Sequence, residues 1–127
     1  MADAVLDASA LLALLNAEPG ADLVAAALPE AIISAINLSE VVAKLADAGM
    51  PEAAIREALQ SLRLDVMAFG DEQAYDAGLM RPATRSSGLS LGDRGCLSLA
   101  RRLGLSALTA DRGWEDLSIG AEVRMIR

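Results

Sequence analysis

Four carboxylates stand where the sequence passes from an apolar run into helical spacing. Asp7 lies in VLDASALLALL, Glu40 in INLSEVVAKL, Asp93 in SLGDRGCLSLA and Asp111 in LTADRGW. A carboxylate among apolar neighbours is costly to bury unless it is hydrogen-bonded, paired or bound to a cation. Each of the four has a local explanation. Asp7 and Asp111 could cap helices by accepting backbone N–H groups. Glu40 follows Asn37 by three residues and Asp93 follows Ser90 by three, the spacing of a capping box. Capping explains each acid alone and does not require the four to meet. If they do meet, like charges at close range demand a cation or raised pKa values. The chain has no histidine and a single cysteine, so only oxygen ligands are on offer. That donor set selects a hard divalent ion, Mg2+ or Mn2+. Such an ion can activate a water and neutralise a phosphodiester during in-line attack.

Composition narrows the alternatives. The absence of histidine removes histidine-based ribonuclease chemistry, Ser-His-Asp triads and His-ligated zinc together. The lone Cys96 cannot form an internal disulfide; it reads as a small buried helical residue in a reducing, cytoplasmic setting. No apolar run reaches the roughly 18 residues that span a bilayer. Asp3 near the start argues against a signal peptide. The net charge of −7 is unevenly spread. Residues 1–80 hold thirteen acids against Lys44, Arg56 and Arg63, a balance of −10. Residues 81–127 hold five acids against eight arginines, a balance of +3, so a basic half could still meet phosphates. Solvated helix faces would give the same pattern.

The elements that must deliver the acids follow from periodicity and punctuation. Residues 3–7 read as a short strand and 8–16 as a helix, broken at Glu18-Pro19-Gly20. Pro19 is placed to open a helix over 19–28, and 30–34 is a second strand. Residues 38–48 are helical with Leu38, Val41, Val42 and Leu45 on one face. A helix at 51–62, a strand at 64–69 and a helix at 71–81 follow. Residues 82–92, rich in Ser and Gly, read as a polar loop. Residues 93–103 form an amphipathic helix closed by Gly104; 107–109 is strand-like, 112–116 a helical turn and 122–126 the last strand. Five strands separated mainly by helices imply one domain, residues 1–127, with a parallel sheet covered on both faces. In such a sheet all strand C-termini share one edge, where ligands bind. The four acids fall at strand ends and the helix starts that follow.

Other residues have two readings each. Ser9 and Thr109 could hydrogen-bond a metal-bound water or an acid, or simply cap. Arg85, Arg94 and Arg112 flank the acids and could grip phosphate in bidentate fashion, or serve as surface ion pairs. Trp114 is expected to pack the last turn, and Glu115 and Asp116 to form a solvated turn.

In its order of motifs, VLDASALLALL, INLSEV, GLSLGDRGCLSLARRLGLSALTADRGW and a closing VRMIR, the chain resembles the PIN-domain ribonucleases, and within them the VapC toxins of bacterial toxin–antitoxin pairs. The resemblance spans almost the whole chain. It implies a three-layer α/β/α domain with a central parallel sheet of about five strands, and an Mg2+- or Mn2+-dependent endonuclease acting on RNA. Carried over by motif, Asp7, Glu40, Asp93 and Asp111 would be the metal-site acids. A homodimer and an antitoxin covering the acidic cleft are also implied, with helices of residues 19–62 contributing most to antitoxin binding. Two other readings remain open. A phosphatase with Asp7 as nucleophile lacks a second acid two residues on, and its only lysine, Lys44, sits mid-helix. A non-catalytic binding module would use the acids only as caps.

Overall fold

A strand covered on both faces reads as an unbroken apolar run, and Ala4–Leu6 (β1) is one, with all three residues buried. The computed structural model describes residues 1–127. After β1 come α1 (Ala8–Leu15), α2 (Ala21–Ala27), a 3-10 turn, β2 (Ala31–Ser34), α3 (Ala35–Asp47) and α4 (Glu52–Ser61). The second half runs β3 (Asp65–Met67), α5 (Asp71–Leu79), α6 (Arg81–Thr84), a 3-10 turn, α7 (Leu91–Leu103), β4 (Ser106–Thr109), a 3-10 turn and β5 (Glu122–Met125). The five strands form one parallel sheet in the order β3-β2-β1-β4-β5. The three-layer α/β/α architecture expected from the sequence is therefore present.

Alternation along the strands assigns the layers. Val5, Ile32 and Ala107 pack with Cys96, Leu97, Ala100 and Trp114 on the face covered by α7. Ala4, Leu6, Ala31 and Leu108 point the other way, against Ala10, Ala13 and Val24 of α1 and α2. Ile33 joins Leu11, Val41, Leu45, Ile55 and Leu59, where α1, α3 and α4 meet. Each fully buried aliphatic side chain contributes about 1.5–3 kcal/mol, so an aliphatic core of this extent needs few aromatics. Gly95 of α7 lets α3 approach: a Cβ there would stand 2.7 Å from Ile36 Cγ2.

Two expectations are corrected. Residues 82–92 are not a plain loop, because α6 and a 3-10 turn over Arg85–Ser87 occupy most of them. Pro82 falls in the first turn of α6, where a missing N–H costs nothing, and Thr84 Oγ1 donates to the Met80 carbonyl at 2.9 Å. α3 begins at Ala35 rather than 38, because Ser34 is its N-cap, its Oγ accepting from Ile36 N at 3.3 Å. Asn37 therefore lies inside the helix, and its side chain is free for other work.

The topology has one switch point. From β1 the chain moves outward to β2 and β3, then returns to the other side of β1 for β4 and β5. Crevices at such reversals, beyond the strand C-termini, are where parallel sheets bind ligands. Asp7 directly follows β1, and Asp111 lies two residues beyond β4.

Candidate active site

Asp7 is delivered by the most enclosed strand of the sheet and is only 4% exposed. It caps α1, with Oδ1 accepting from Ala10 N at 2.8 Å and from Ser9 Oγ at 2.7 Å. Thr109, at the end of the neighbouring β4, donates its hydroxyl to Asp7 Oδ2 at 2.5 Å. Both hydroxyls also accept from the chain beyond β4. Ala110 N donates to Ser9 Oγ and Asp111 N to Thr109 Oγ1, each at 2.9 Å. Ser9 and Thr109 thus lace β1 to β4 across the switch point. Despite three donors, burial pushes the Asp7 carboxyl up from 3.8 to about 6, and the nearby Asp93 charge adds to this.

Glu40 enters from the side, on the second turn of α3. Asn37 Nδ2 donates to Glu40 Oε1 at 2.8 Å and to the Gly92 carbonyl at 2.9 Å. These two bonds tie α3 to the start of α7. The amide orientation follows from chemistry, since the flipped amide would set an oxygen against two acceptors. Asn37 Oδ1 is left buried without a protein partner. Gly92 has no side chain to spare room for: a methyl group there would overlap the Glu40 carboxylate. Burial raises the pKa of Glu40, the Asn37 bond lowers it, Asp93 raises it and Lys44 lowers it.

Asp93 and Asp111 are held by their own turns. Asp93 Oδ2 accepts from Ser90 N at 2.9 Å while Ser90 Oγ accepts from Asp93 N at 3.1 Å, the reciprocal capping box that the spacing suggests. Asp111 Oδ1 accepts from Gly113 N at 2.9 Å and starts the 3-10 turn. Each of these carboxylates keeps one oxygen outside these bonds, as does Glu40. Capping is real for three of the four acids, and it orients them rather than competing with a shared role.

All four line one cavity of about 150 Å³, together with Ser9, Asn37 and Lys44. No three of them form a ready-made cage around a single point. They are instead spread around the walls, with an all-oxygen donor set, an orphaned amide oxygen and two carboxylates whose pKa values are raised. A cation that binds partly through its own water, as Mg2+ does, fits such walls.

The supporting residues divide. Ser9 lines the cavity and Thr109 acts from behind Asp7. None of Arg85, Arg94 and Arg112 lines it. Arg94 donates to the Ala77 carbonyl at 2.9 Å, and Arg112 pairs with Glu115 at 2.9 Å on the surface. Trp114 is buried in the core, as is Cys96, and Asp116 is exposed. Two residues of the cavity escape a reading by motif. Asn37 passes for a helix cap, and Lys44 for a solvated mid-helix charge. Their spacing from Glu40, three before and four after, is the signal that all share one helix face.

No helix is long and apolar enough to cross a membrane. The sequence pattern of the PIN domain family matches residues 4–120. Among solved structures, DNA-bound VapBC from Salmonella typhimurium superposes with a TM-score of 0.78 at 20% identity over 100% of both chains. VapBC2 from Rickettsia felis, bound to a promoter DNA fragment, gives 0.77 at 15% identity over 96% of this chain and 97% of that one. VapBC-5 from Mycobacterium tuberculosis gives 0.60 at 19% identity over 100% and 99%. At these identities the likeness is one of fold. No curated protein matches the sequence.

Proposed function

The chain belongs to the PIN domain family, and from that premise we propose that it is a divalent-metal-dependent endoribonuclease, the toxin of a toxin–antitoxin pair, acting as one domain over residues 1–127. The observation that carries the reading is the convergence of Asp7, Glu40, Asp93 and Asp111 on one small cavity at the sheet's switch point. Helix capping gives no reason for that convergence, so the purely binding role loses its appeal. The phosphatase reading is weakened too. Two residues on from Asp7 stands Ser9, bonded to the Asp7 carboxylate, where such a hydrolase needs a second acid.

In this reading Asp7, Glu40, Asp93 and Asp111 hold Mg2+ or Mn2+. The bound ion supplies an activated water and neutralises charge on the phosphodiester. The protein's own contribution is preorganisation. Ser9 and Thr109 hold Asp7, Asn37 holds Glu40, Ser90 holds Asp93 and the Gly113 N–H holds Asp111, so each carboxylate is oriented by at least one hydrogen bond. The cation also relieves the cost of burying Asp7 as an anion.

A partner protein fits a second, apolar hollow. Leu38, Val42, Ala46 and Met50 of the α3 end form an apolar trough with Ile55 and Leu59 of α4, about 490 Å³ in volume. VapBC-5 is by name a member of a family of toxin–antitoxin systems, and we assign the trough to an antitoxin segment. Tyr75 and Leu79, 69% and 76% exposed on α5, suit contact with a second copy.

The test is cleavage of a structured RNA panel with Mg2+, with Mn2+ and with EDTA. Cleavage is expected with either metal, none in EDTA, and none from Asp7→Asn or Asp93→Asn. Metal-independent cleavage, or full activity in both variants, would sink the proposal.

A further inference from the structure

Lys44 is the only lysine in the chain and the only base lining the acid cavity. Four carboxylates repel a polyanionic strand, so something beside them must hold the phosphates that flank the scissile one. None of the eight arginines of the second half lines that cavity. Arg94, Arg101, Arg102 and Arg112 are each engaged by a carbonyl or carboxylate of the protein. Lys44 makes no ion pair, although it stands one turn from Glu40 on α3 and its charge is felt there.

The cavity does not end at Lys44. A second recess of about 320 Å³ is lined by Ser9, Leu12, Asn16 and Glu18 on the α1 side and by Lys44, Leu45 and Ala48 on the α3 side, and it reaches Arg127. Ser9, Leu12 and Lys44 line both hollows, so the two adjoin along these residues. Residues 9, 12 and 16 form one stripe of α1, and the recess is the furrow between that stripe and α3. Arg127 closes the far end, its guanidinium donating to the Pro19 carbonyl at 2.9 Å and lying 3.4 Å from Glu18.

We infer that single-stranded RNA leaves the acid cavity along the α1–α3 furrow, with the Lys44 ammonium as its first phosphate contact beyond the carboxylates. This deepens the endoribonuclease reading and rests on it. An ammonium is a point charge on a flexible stem, so Lys44 follows the backbone and reads no base. It is a binding residue for the strand and takes no part in the bond that breaks.

The experiment follows the anisotropy of a short labelled single-stranded oligoribonucleotide, in EDTA so that it stays intact, across a range of salt concentrations. Lys44→Gln is expected to weaken binding about fivefold and to lower the slope of log affinity against log salt by about 0.7, the loss of one single-strand phosphate contact. Lys44→Arg is expected to keep both. Arg124→Gln changes the net charge equally but is exposed on β5 and lines none of these hollows, and it should leave both unchanged. Unaltered binding in Lys44→Gln overturns the furrow, as does no binding by the unaltered protein, or an equal effect of Arg124→Gln. A parallel cleavage assay keeps the two ideas apart. RNA bound through Lys44 but never cut with metal sinks the nuclease and leaves the furrow standing. Cleavage with normal kcat and normal KM in Lys44→Gln does the reverse.

Discussion

Helix α3 separates two hollows of opposite character. On one side Asn37, Glu40 and Lys44 meet the acid cavity, about 150 Å³ in volume. On the other, Leu38, Val42 and Ala46 line the trough shared with α4, about 490 Å³. Val41 and Leu45 are buried between the two faces. A period of 3.6 residues lets one helix serve core, cavity and trough at once. The larger hollow is the one without chemistry: its lining offers little beyond apolar surface, with one exposed Arg56–Glu52 pair. In the smaller one every carboxylate is held by at least one hydrogen bond. Volume marks where another chain can lie. Fixed, desolvated polar groups mark where a reaction can occur.

The strongest way to test that contrast is to remove the most desolvated charge. Asp7→Asn should lower cleavage by about 10³-fold or more, since it takes away a group acting together with three others. The same change should stabilise the metal-free protein at pH 8. A carboxyl raised from 3.8 to about 6 in the folded state binds its proton more tightly folded than unfolded. Its favourable contribution is full below 3.8 and is lost as pH rises through about 6, amounting to about 3 kcal/mol at most. Glu40, also raised, adds in the same direction. Urea unfolding in EDTA at pH 4.5 and pH 8 should show stability falling with pH in the unaltered protein, and falling less in Asp7→Asn. Mg2+ should restore the loss at pH 8 by binding only the folded state. A variant less stable than its parent at pH 8 would mean that the hydrogen bonds Asp7 accepts outweigh the cost of burying its charge, and the contrast between the hollows would fail.

How much of this was legible beforehand differs between the hollows. The strand and helix order is written in plain signals: the apolar run before Asp7, Gly49 and Pro51 between helices, Gly104 after α7. Placing strand ends on one edge then brings Asp7 and Asp111 together, and SLGDRG marks Asp93, whereas the INLSEV segment marks Glu40 only weakly by itself. What stayed hidden depends on contacts distant in sequence. Thr109 reaches Asp7 across 102 positions, and Asn37 reaches Gly92 across 55. Asn37 also looked like a cap because Ser34, the actual cap, reads as the end of a strand. Arg94 read as a phosphate grip or a surface ion pair because its acceptor, the Ala77 carbonyl, is a backbone atom that no sequence pattern advertises. For antitoxin contact the sequence pointed only to the helices of residues 19–62, without an α3–α4 trough within them.

The trough gives the middle-sized effect. Val42 is 37% exposed at its wall and can carry a charge without unfolding the core. Val42→Asp should weaken binding of a co-expressed antitoxin about 10- to 100-fold, the loss typical of a central apolar contact, while leaving cleavage by the free protein unchanged. Isothermal titration with the purified antitoxin, beside an RNA cleavage assay, reads both. Equal loss in the two assays would show that the hollows are not independent. Unchanged antitoxin affinity would move its seat to another surface.

The smallest change lies at the seam between α3 and α7, where Gly92 gives Glu40 its place. In a helix, Ala is preferred to Gly by up to about 1 kcal/mol, so Gly92→Ala should leave thermal stability unchanged or slightly raised. Its methyl group nevertheless occupies the position of the Glu40 carboxylate. That group is the far end of a flexible side chain and can swing aside at little cost in stability, breaking the Asn37–Glu40 bond as it goes. Cleavage should therefore fall about tenfold, the scale expected when a positioned group is displaced but not deleted, with a steeper dependence on Mg2+ concentration. A loss of activity without a loss of stability would show that the cavity needs Glu40 at the point where Asn37 holds it. Full activity in Gly92→Ala would show that Glu40 works from more than one position, and the smaller hollow would then be less rigid than its hydrogen bonds suggest.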